Sequence, residues 1–265
     1  MSSYRICRRN EPSAWSGWRV GRLAASLALT LLLSRVAAGQ PTLSSPPRPT
    51  AISATFSIVA VDPSTGICGA AVASKYPAVG KVVPLARGGV GAFCTQHYHV
   101  PEWRQQAIDW LSMGVRPEEV LTRLLRDDPR AEQRQLAIID AQGRSAVHQP
   151  TAAPAESRYW GAMQGRYYCC QGNTLAGRAV VTEMARAYEE TEGSLADRLV
   201  AALIAADRAG GDHRGRLAAG LRVAKPGVEG AWLELDVDQS GDAVEELLNR
   251  YRALQHPARG AWDPR

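Results

Sequence analysis

Between Thr55 and Leu254 the hydrophobic period of this sequence switches in blocks rather than from one element to the next. Residues 55–61, TFSIVAV, and 67–73, ICGAAVA, read as two strands joined by the turn DPSTG, where proline and glycine take turn roles. The small residues of the second strand imply that something packs closely on it. KVVPLA and GVGAFCT continue as two more strands around RGG, so the block is an antiparallel meander. The period then becomes helical. PEWRQQAIDWLSMG places Trp103, Ala107, Trp110 and Leu111 on one face, and RPEEVLTRLLRDD repeats the pattern through Val120, Leu121, Leu124 and Leu125. RQLAIIDAQGRSAVHQ returns to a β-hairpin turning at DAQG, and a loop leads to a strand near residues 167–171. Helices are expected at 175–190 and 194–209, the second with Ser194 as N-cap. RLAAGLRVAK and AWLELDVD read as closing strands, and DAVEELLNRYRAL as a last amphipathic helix. Segregated blocks argue against a βαβ alternation. They predict an α+β fold in which two stacked sheets lie between two helix layers.

The segment before Thr55 differs in kind. Arg19 and Arg22 precede the apolar run LAASLALTLLL, and SRVAAGQP follows with Ala37, Ala38 and Gly39. A basic stretch, a short apolar core and small residues make a signal peptide over residues 1–39, cleaved near Ala38 or Gly39. The apolar run is short for a bilayer span, although an uncleaved anchor is the alternative. QPTLSSPPRPTAIS reads as an extended linker at 40–54, which leaves a folded domain at 55–256 and a tail at 257–265. The expected location is therefore secreted or periplasmic, with no membrane attachment once the leader is gone. Charge follows the same division. Seven of the 31 basic residues but only one of the 26 acidic ones precede Thr55, so the formal +5 belongs to the leader. The folded part offers no basic face for a nucleic-acid partner. Four cysteines follow the leader: Cys68, Cys94, Cys169 and Cys170. In an exported chain Cys94 could bridge to one of the adjacent pair; the other reading is four buried thiols.

The block TFSIVAVDPSTGICGAAVASKYPAVGKVVPLARGGVGAFCTQ, with RQLAIIDAQGRSAVH, QGNTLAG and AGGDHRGRLAAGL, resembles the family catalogued as domain of unknown function 1028. The resemblance runs from about Thr55 to Leu254. It implies the four-layer αββα sandwich of the N-terminal nucleophile (Ntn) hydrolases, without defining a substrate. One departure stands out. Where the family pattern carries glutamine and serine, this chain has Leu217-Ala218-Ala219 after Arg216; Cys94 also stands where alanine is commoner.

An Ntn hydrolase attacks an amide carbonyl with the side chain of its first residue, whose own α-amine takes the proton. That amine ordinarily titrates at about 7.7–8, which suits a base near neutral pH. Under this resemblance Thr55 is the nucleophile, provided that a cut after Ala54 frees its amine. Lys75 is the second catalytic candidate, one of three lysines after the leader, 20 residues after Thr55 on the neighbouring strand. An ammonium there would stabilise developing negative charge. Ser74, Thr95 and Gln96, at strand ends, are substrate-binding candidates. Asn173 is read first as the N-cap of the helix that follows and second as an amide donor to substrate. Asp212 and Arg214, in the glycine-rich GGDHRG, are expected to support the site; the loop lacks the lysine and spacing of a phosphate-binding P-loop. Cys94, His97 and His99 lack an evident fourth ligand for zinc, so neither a metal nor a cofactor is expected. Two functions stay open. One is an exported amidohydrolase acting on a small amide or peptide-like substrate. The other is a non-catalytic ligand-binding or assembly module on the same fold, and a homo-oligomer is compatible with either.

Overall fold

The computed structural model describes residues 55–152 and 155–255. The expected leader, linker and C-terminal tail lie outside the described residues. Ten strands form two antiparallel sheets among the described residues. The first sheet has the order β10 (Leu233–Val237), β9 (Ala218–Ala224), β2 (Ile67–Ser74), β1 (Thr55–Asp62), β8 (Tyr168–Asn173), β7 (Gly161–Gly165). The second has the order β3 (Pro84–Arg87), β4 (Gly91–Gln96), β5 (Gln135–Asp140), β6 (Ser145–His148).

The two sheets face each other, with β1 against β4 and β5, and β8 against β5. The period of two sorts side chains between two cores. From β1, Val59 and Val61 enter the layer between the sheets with Ala70, Val72, Ala92, Cys94, Ala137 and Ile139. Phe56, Ile58 and Ala60 point the other way, toward α4 (Ala179–Glu190) and α5 (Leu195–Arg208). α6 (Ala243–Gln255) joins the same outer layer. On the far side, α2 (Glu102–Ser112) and α3 (Pro117–Leu125) cover Phe93, Leu136 and Ile138 of the second sheet. The expected α+β arrangement, sheets inside and helices outside, is therefore present. Ser194 caps α5 through a full capping box with Asp197, as the sequence predicts.

Three boundaries differ from expectation. A one-turn helix, α1 (Val79–Val82), occupies the start of the KVVPLA segment, and the strand β3 begins only at Pro84. GAMQG, read as loop, is the edge strand β7; its pairing with β8 supplies what a glycine at each end withholds. The helix expected from residue 175 starts at Ala179, because the Leu175 N–H donates to Tyr159 O and Leu175 bridges to Asp212. Small residues on β2 have the reason foreseen for them: a Cβ on Gly69 would meet Leu199 Cδ1 of α5 at 2.7 Å, and β9 is crowded in the same way. Gly220 of β9 passes so near Gly80 of α1 that a Cβ on Gly220 would overlap the Gly80 Cα. Gly220→Ala is expected to lower stability by about 1–3 kcal/mol, read as a fall in the urea midpoint.

Candidate functional site

The layer between the sheets changes character along its length. At one end it is apolar. Toward the other, each of five strands supplies hydroxyl or amide side chains on the inward-facing set: Thr55 and Ser57 from β1, Ser74 from β2, Gln96 from β4, Gln135 from β5, Gln171 and Asn173 from β8. All seven are fully buried. Register brings them together. Thr55 lies opposite Ser74 on one side and Asn173 on the other, and Gln96 lies opposite Gln135.

Apart from those of Gln171, the hydrogen bonds form one connected set. Thr55 Oγ1 donates to Ser74 Oγ at 3.1 Å. Gln96 Nε2 donates to the Thr55 carbonyl at 3.1 Å and to Gln135 Oε1 at 2.6 Å, while Gln96 Oε1 accepts from Ser57 Oγ at 2.7 Å. Asn173 Nδ2 also donates to Gln135 Oε1, at 2.8 Å. Gln135 Nε2 donates to Gln149 Oε1 and to Gly172 O, both at 2.8 Å. Gln171, with its amide turned to satisfy both ends, donates to Leu136 O at 2.9 Å and accepts from Ala137 N–H at 3.2 Å. Every member is neutral, so the end of the layer that holds Thr55 is polar without being charged.

One carboxylate approaches this end. Asp212 is buried in the loop after α5, and burial pushes its carboxyl above the usual range against the pull of Arg214. Its Oδ1 accepts the Arg214 N–H at 2.9 Å, and its Oδ2 accepts the Lys75 N–H at 3.3 Å. Ser74 O accepts from Leu217 N–H at 2.8 Å, and Ser74 Oγ accepts from Tyr76 N–H at 3.1 Å. The GGDHRG loop thus pins the end of β2 beside Thr55. Thr174, a buried β-branched residue at φ +54°, turns the chain out of β8 at the same edge. Left-handed backbone at such a residue is strained and is held by its surroundings, here by His213 N–H donating to Thr174 O at 3.2 Å.

The expected site residues separate into groups. Thr55, Ser74, Gln96 and Asn173 come together, and Asp212 with Arg214 adjoins them. Thr95 falls on the opposite face of β4, where its hydroxyl accepts from Val100 N–H at 3.3 Å. Asn173 ends a strand and does not cap α4, whose N-cap is Arg178. Lys75 is displaced by one register position. Ser74 is the residue opposite Thr55; Lys75 follows the last residue of β2, in the alternate set with Ala71 and Ala73, and is exposed. A slip of one residue exchanges faces. Ser57, Gln135, Gln149 and Gln171 were missed. For Ser57, Gln135 and Gln171 the signal was a polar residue at the inward position of an otherwise apolar strand; Gln149 follows the end of β6 and had no such signal.

Cys68, Cys94, Cys169 and Cys170 are free and buried. Burial pushes Cys68 up to about 11 and Cys94 and Cys170 up to about 12, so none is an available thiolate near neutral pH. Cys94 sits in the apolar layer, whereas His97 Nδ1 lies 2.6 Å from Gln133 O. Among the described residues no group of three His, Cys, Asp or Glu side chains is placed to hold a metal.

His97 and His99 bear on pH dependence. His97 Nε2 and His99 Nδ1 are buried without a hydrogen-bond partner. Burial holds His97 below its usual value and holds His99 down to about 4, with Arg104 and Arg134 adding to the effect on His99 and Glu102 opposing it. In the unfolded chain both titrate at about 6.5. Between about 4 and 6.5 the unfolded state therefore binds more protons, and stability falls as the pH drops through that window. The urea midpoint is expected to be lower at pH 5 than at pH 7. His99→Phe should flatten the slope, and an unchanged slope would contradict this account.

A model of the family described as "Family of unknown function (DUF1028)" matches residues 55–247, a span that begins at Thr55. The chain belongs to this family. Among solved structures, protein SPO2555 from Silicibacter pomeroyi, described as a member of the same family, is similar at 27% identity with a TM-score of 0.69; the match covers 77% of this chain and 90% of that one. Anbu (ancestral beta-subunit) from Yersinia bercovieri matches at 12% identity with a TM-score of 0.36, over 78% of this chain and 100% of that one. No curated protein matches the sequence. Membership fixes a relationship and carries no activity with it.

Proposed function

We propose that this chain is an exported amidohydrolase of Ntn type, with the four-layer αββα sandwich of that class and with Thr55 as nucleophile once its amine is freed. The observation that carries the proposal is the position of Thr55. It opens the strand that lies third and fourth from the two edges of the six-stranded sheet, and its hydroxyl is 3.1 Å from Ser74 Oγ. Its main chain is anchored by Gln96. In the chain as it stands Ala54 acylates the Thr55 nitrogen, so it has no basic lone pair, and this is the unprocessed form.

After a cut between Ala54 and Thr55, the reaction follows from the groups present. Thr55 Oγ attacks the carbonyl carbon of a small amide or peptide-like substrate, and its proton passes to the α-amine with Ser74 Oγ as the nearest relay. The C–N bond then breaks, the leaving nitrogen takes that proton, and an ester to Thr55 remains. Water, deprotonated by the same amine, hydrolyses the ester. The neutral amides nearby suit an uncharged group at the scissile end of the substrate. Ser74 replaces Lys75 as the residue nearest the nucleophile. Ser74→Ala is therefore expected to reduce kcat/KM more than Lys75→Ala does, and the reverse order in steady-state kinetics would restore the lysine to the mechanism.

A second reading is favoured by one observation: Gln96 and Gln135 satisfy their side-chain amides on each other and on the main chain. That suits a non-catalytic module whose polar layer welds the sheets. Two chains separate the readings. One is expressed as Met-Thr55 and checked by intact mass for methionine removal; the other keeps Ala54 at its start. A panel of uncharged acyl amides with chromogenic amine leaving groups should be cleaved by the first and not by the second. Equal rates, or none from either, favour the module.

A further inference from the structure

We propose that the outer groove formed by α4, α5 and α6 is a docking surface for an acidic amphipathic helix of a partner protein. The first observation is in α5 itself. Residues 199–206, LVAALIAA, contain no polar side chain over more than two turns, so the middle of α5, between Asp197-Arg198 and Asp207-Arg208, is apolar on every side. A helix with that pattern belongs in an interior. Leu199, Ala202, Leu203 and Ala206 are buried against the sheet, but Ala201, Ile204 and Ala205 face outward and are only partly covered.

Those three residues line a groove of about 520 Å³. A second hollow of about 260 Å³ shares Ala201, Ile204, Leu248 and Arg252 with it and extends toward Gln255. Together they follow α5 from Asp197 to Ala209, about 18 Å at the helical rise, or three turns of a docked helix. Alanines at 187, 201 and 205 keep the walls low enough for another backbone to approach.

Charge selects the occupant. Arg186 on the rim is paired with Glu183 and Glu190. Arg208 and Arg252 are exposed, line the same groove, and make no ion pair or side-chain hydrogen bond among the described residues. A second copy docked by the same surface would set one net-positive lining, Arg186, Arg208 and Arg252 against Glu183 and Asp197, on another. Residues 257–265 carry Arg259 and Arg265 against Asp263, which also adds positive charge. A helix with apolar residues at helical spacing and carboxylates beside them meets both the floor and the rim.

The probe is a fluorescein-labelled synthetic helix of roughly 12 residues, leucine and alanine on one face and glutamate on the other, read by anisotropy. A matching peptide carries lysine in place of glutamate. Saturable binding of the glutamate peptide is expected, weakened at least about tenfold in the double variant Arg208→Glu/Arg252→Glu and in Ile204→Glu. The lysine peptide should gain affinity for the double variant. Unchanged urea midpoints in the exposed arginine variants would confirm that they fold. The proposal is overturned if the glutamate peptide does not saturate, or if it binds wild type and both variants alike. It is equally overturned if sedimentation shows a wild-type dimer that Ile204→Glu disperses, because the groove then serves a second copy.

Discussion

Thr55→Ala, in a chain processed to begin at residue 55, is expected to lower kcat/KM for amide hydrolysis by about 10⁴-fold or more, the usual scale for removing a nucleophile. The substitution removes one hydroxyl and one methyl. The hydroxyl donates to Ser74 Oγ, so the cost in stability is about 1–2 kcal/mol and the domain should still fold. Thr55→Ser keeps the oxygen and the amine and loses the methyl that restricts χ1, so it should retain part of the activity. The pH profile adds a separate check. With the free amine as base, kcat/KM should rise as pH passes through the amine's titration, ordinarily about 7.7–8, and then level. Equal kcat/KM in Thr55→Ala and in the processed wild type would remove the Ntn reading.

Gln135→Leu should be the most damaging single change to stability in the polar layer, by about 3–5 kcal/mol. Gln135 is the hub of the set: it accepts from Gln96 and Asn173 and donates to Gln149 and Gly172 O. Leucine keeps the volume and satisfies none of these. It leaves the Asn173 amide nitrogen and the Gln149 oxygen without the partner that Gln135 gave them, and Gln96 Nε2 with only the Thr55 carbonyl, in a layer where Gln135 itself has no solvent exposure. Gln135→Glu tests the cause. A carboxylate accepts as before but cannot donate, and burial raises its pKa above the unfolded value. The folded state then binds the extra proton, so the Glu variant should regain stability relative to wild type as pH falls toward that of the free carboxyl. Urea midpoints at pH 7 and pH 5, compared with wild type at each pH, measure the effect. A Leu variant within about 1 kcal/mol of wild type would mean that water takes over the orphaned groups.

The sequence by itself determined the block order, the two classes of element and most of the apolar faces. These follow from local periodicity: alternation in TFSIVAV, the repeat of Val120, Leu121 and Leu124, and the Ser194 cap with Asp197. It also placed Thr55 at the start of the first strand, and it showed polar residues at the ends of GAFCTQ and YCCQGN. Tertiary structure decided which of those ends meet. Whether Ser74 or Lys75 stands opposite Thr55 is a matter of register, fixed by a pairing that runs unbroken from Asp62↔Ile67 to Thr55↔Ser74. That Gln96 reaches Thr55 and Ser57 of β1, and Gln135 reaches Gly172 and Asn173 of β8, depends on one sheet being laid on another, with partners 37 to 41 residues apart in sequence. The same holds for Asn173, which local sequence reads as a cap and which pairing with Thr55 makes the end of a strand. Local pattern fixes the face on which a side chain stands, because that depends on the backbone period alone. It does not fix the neighbour across the layer, because that depends on how sheets and distant strands settle against one another.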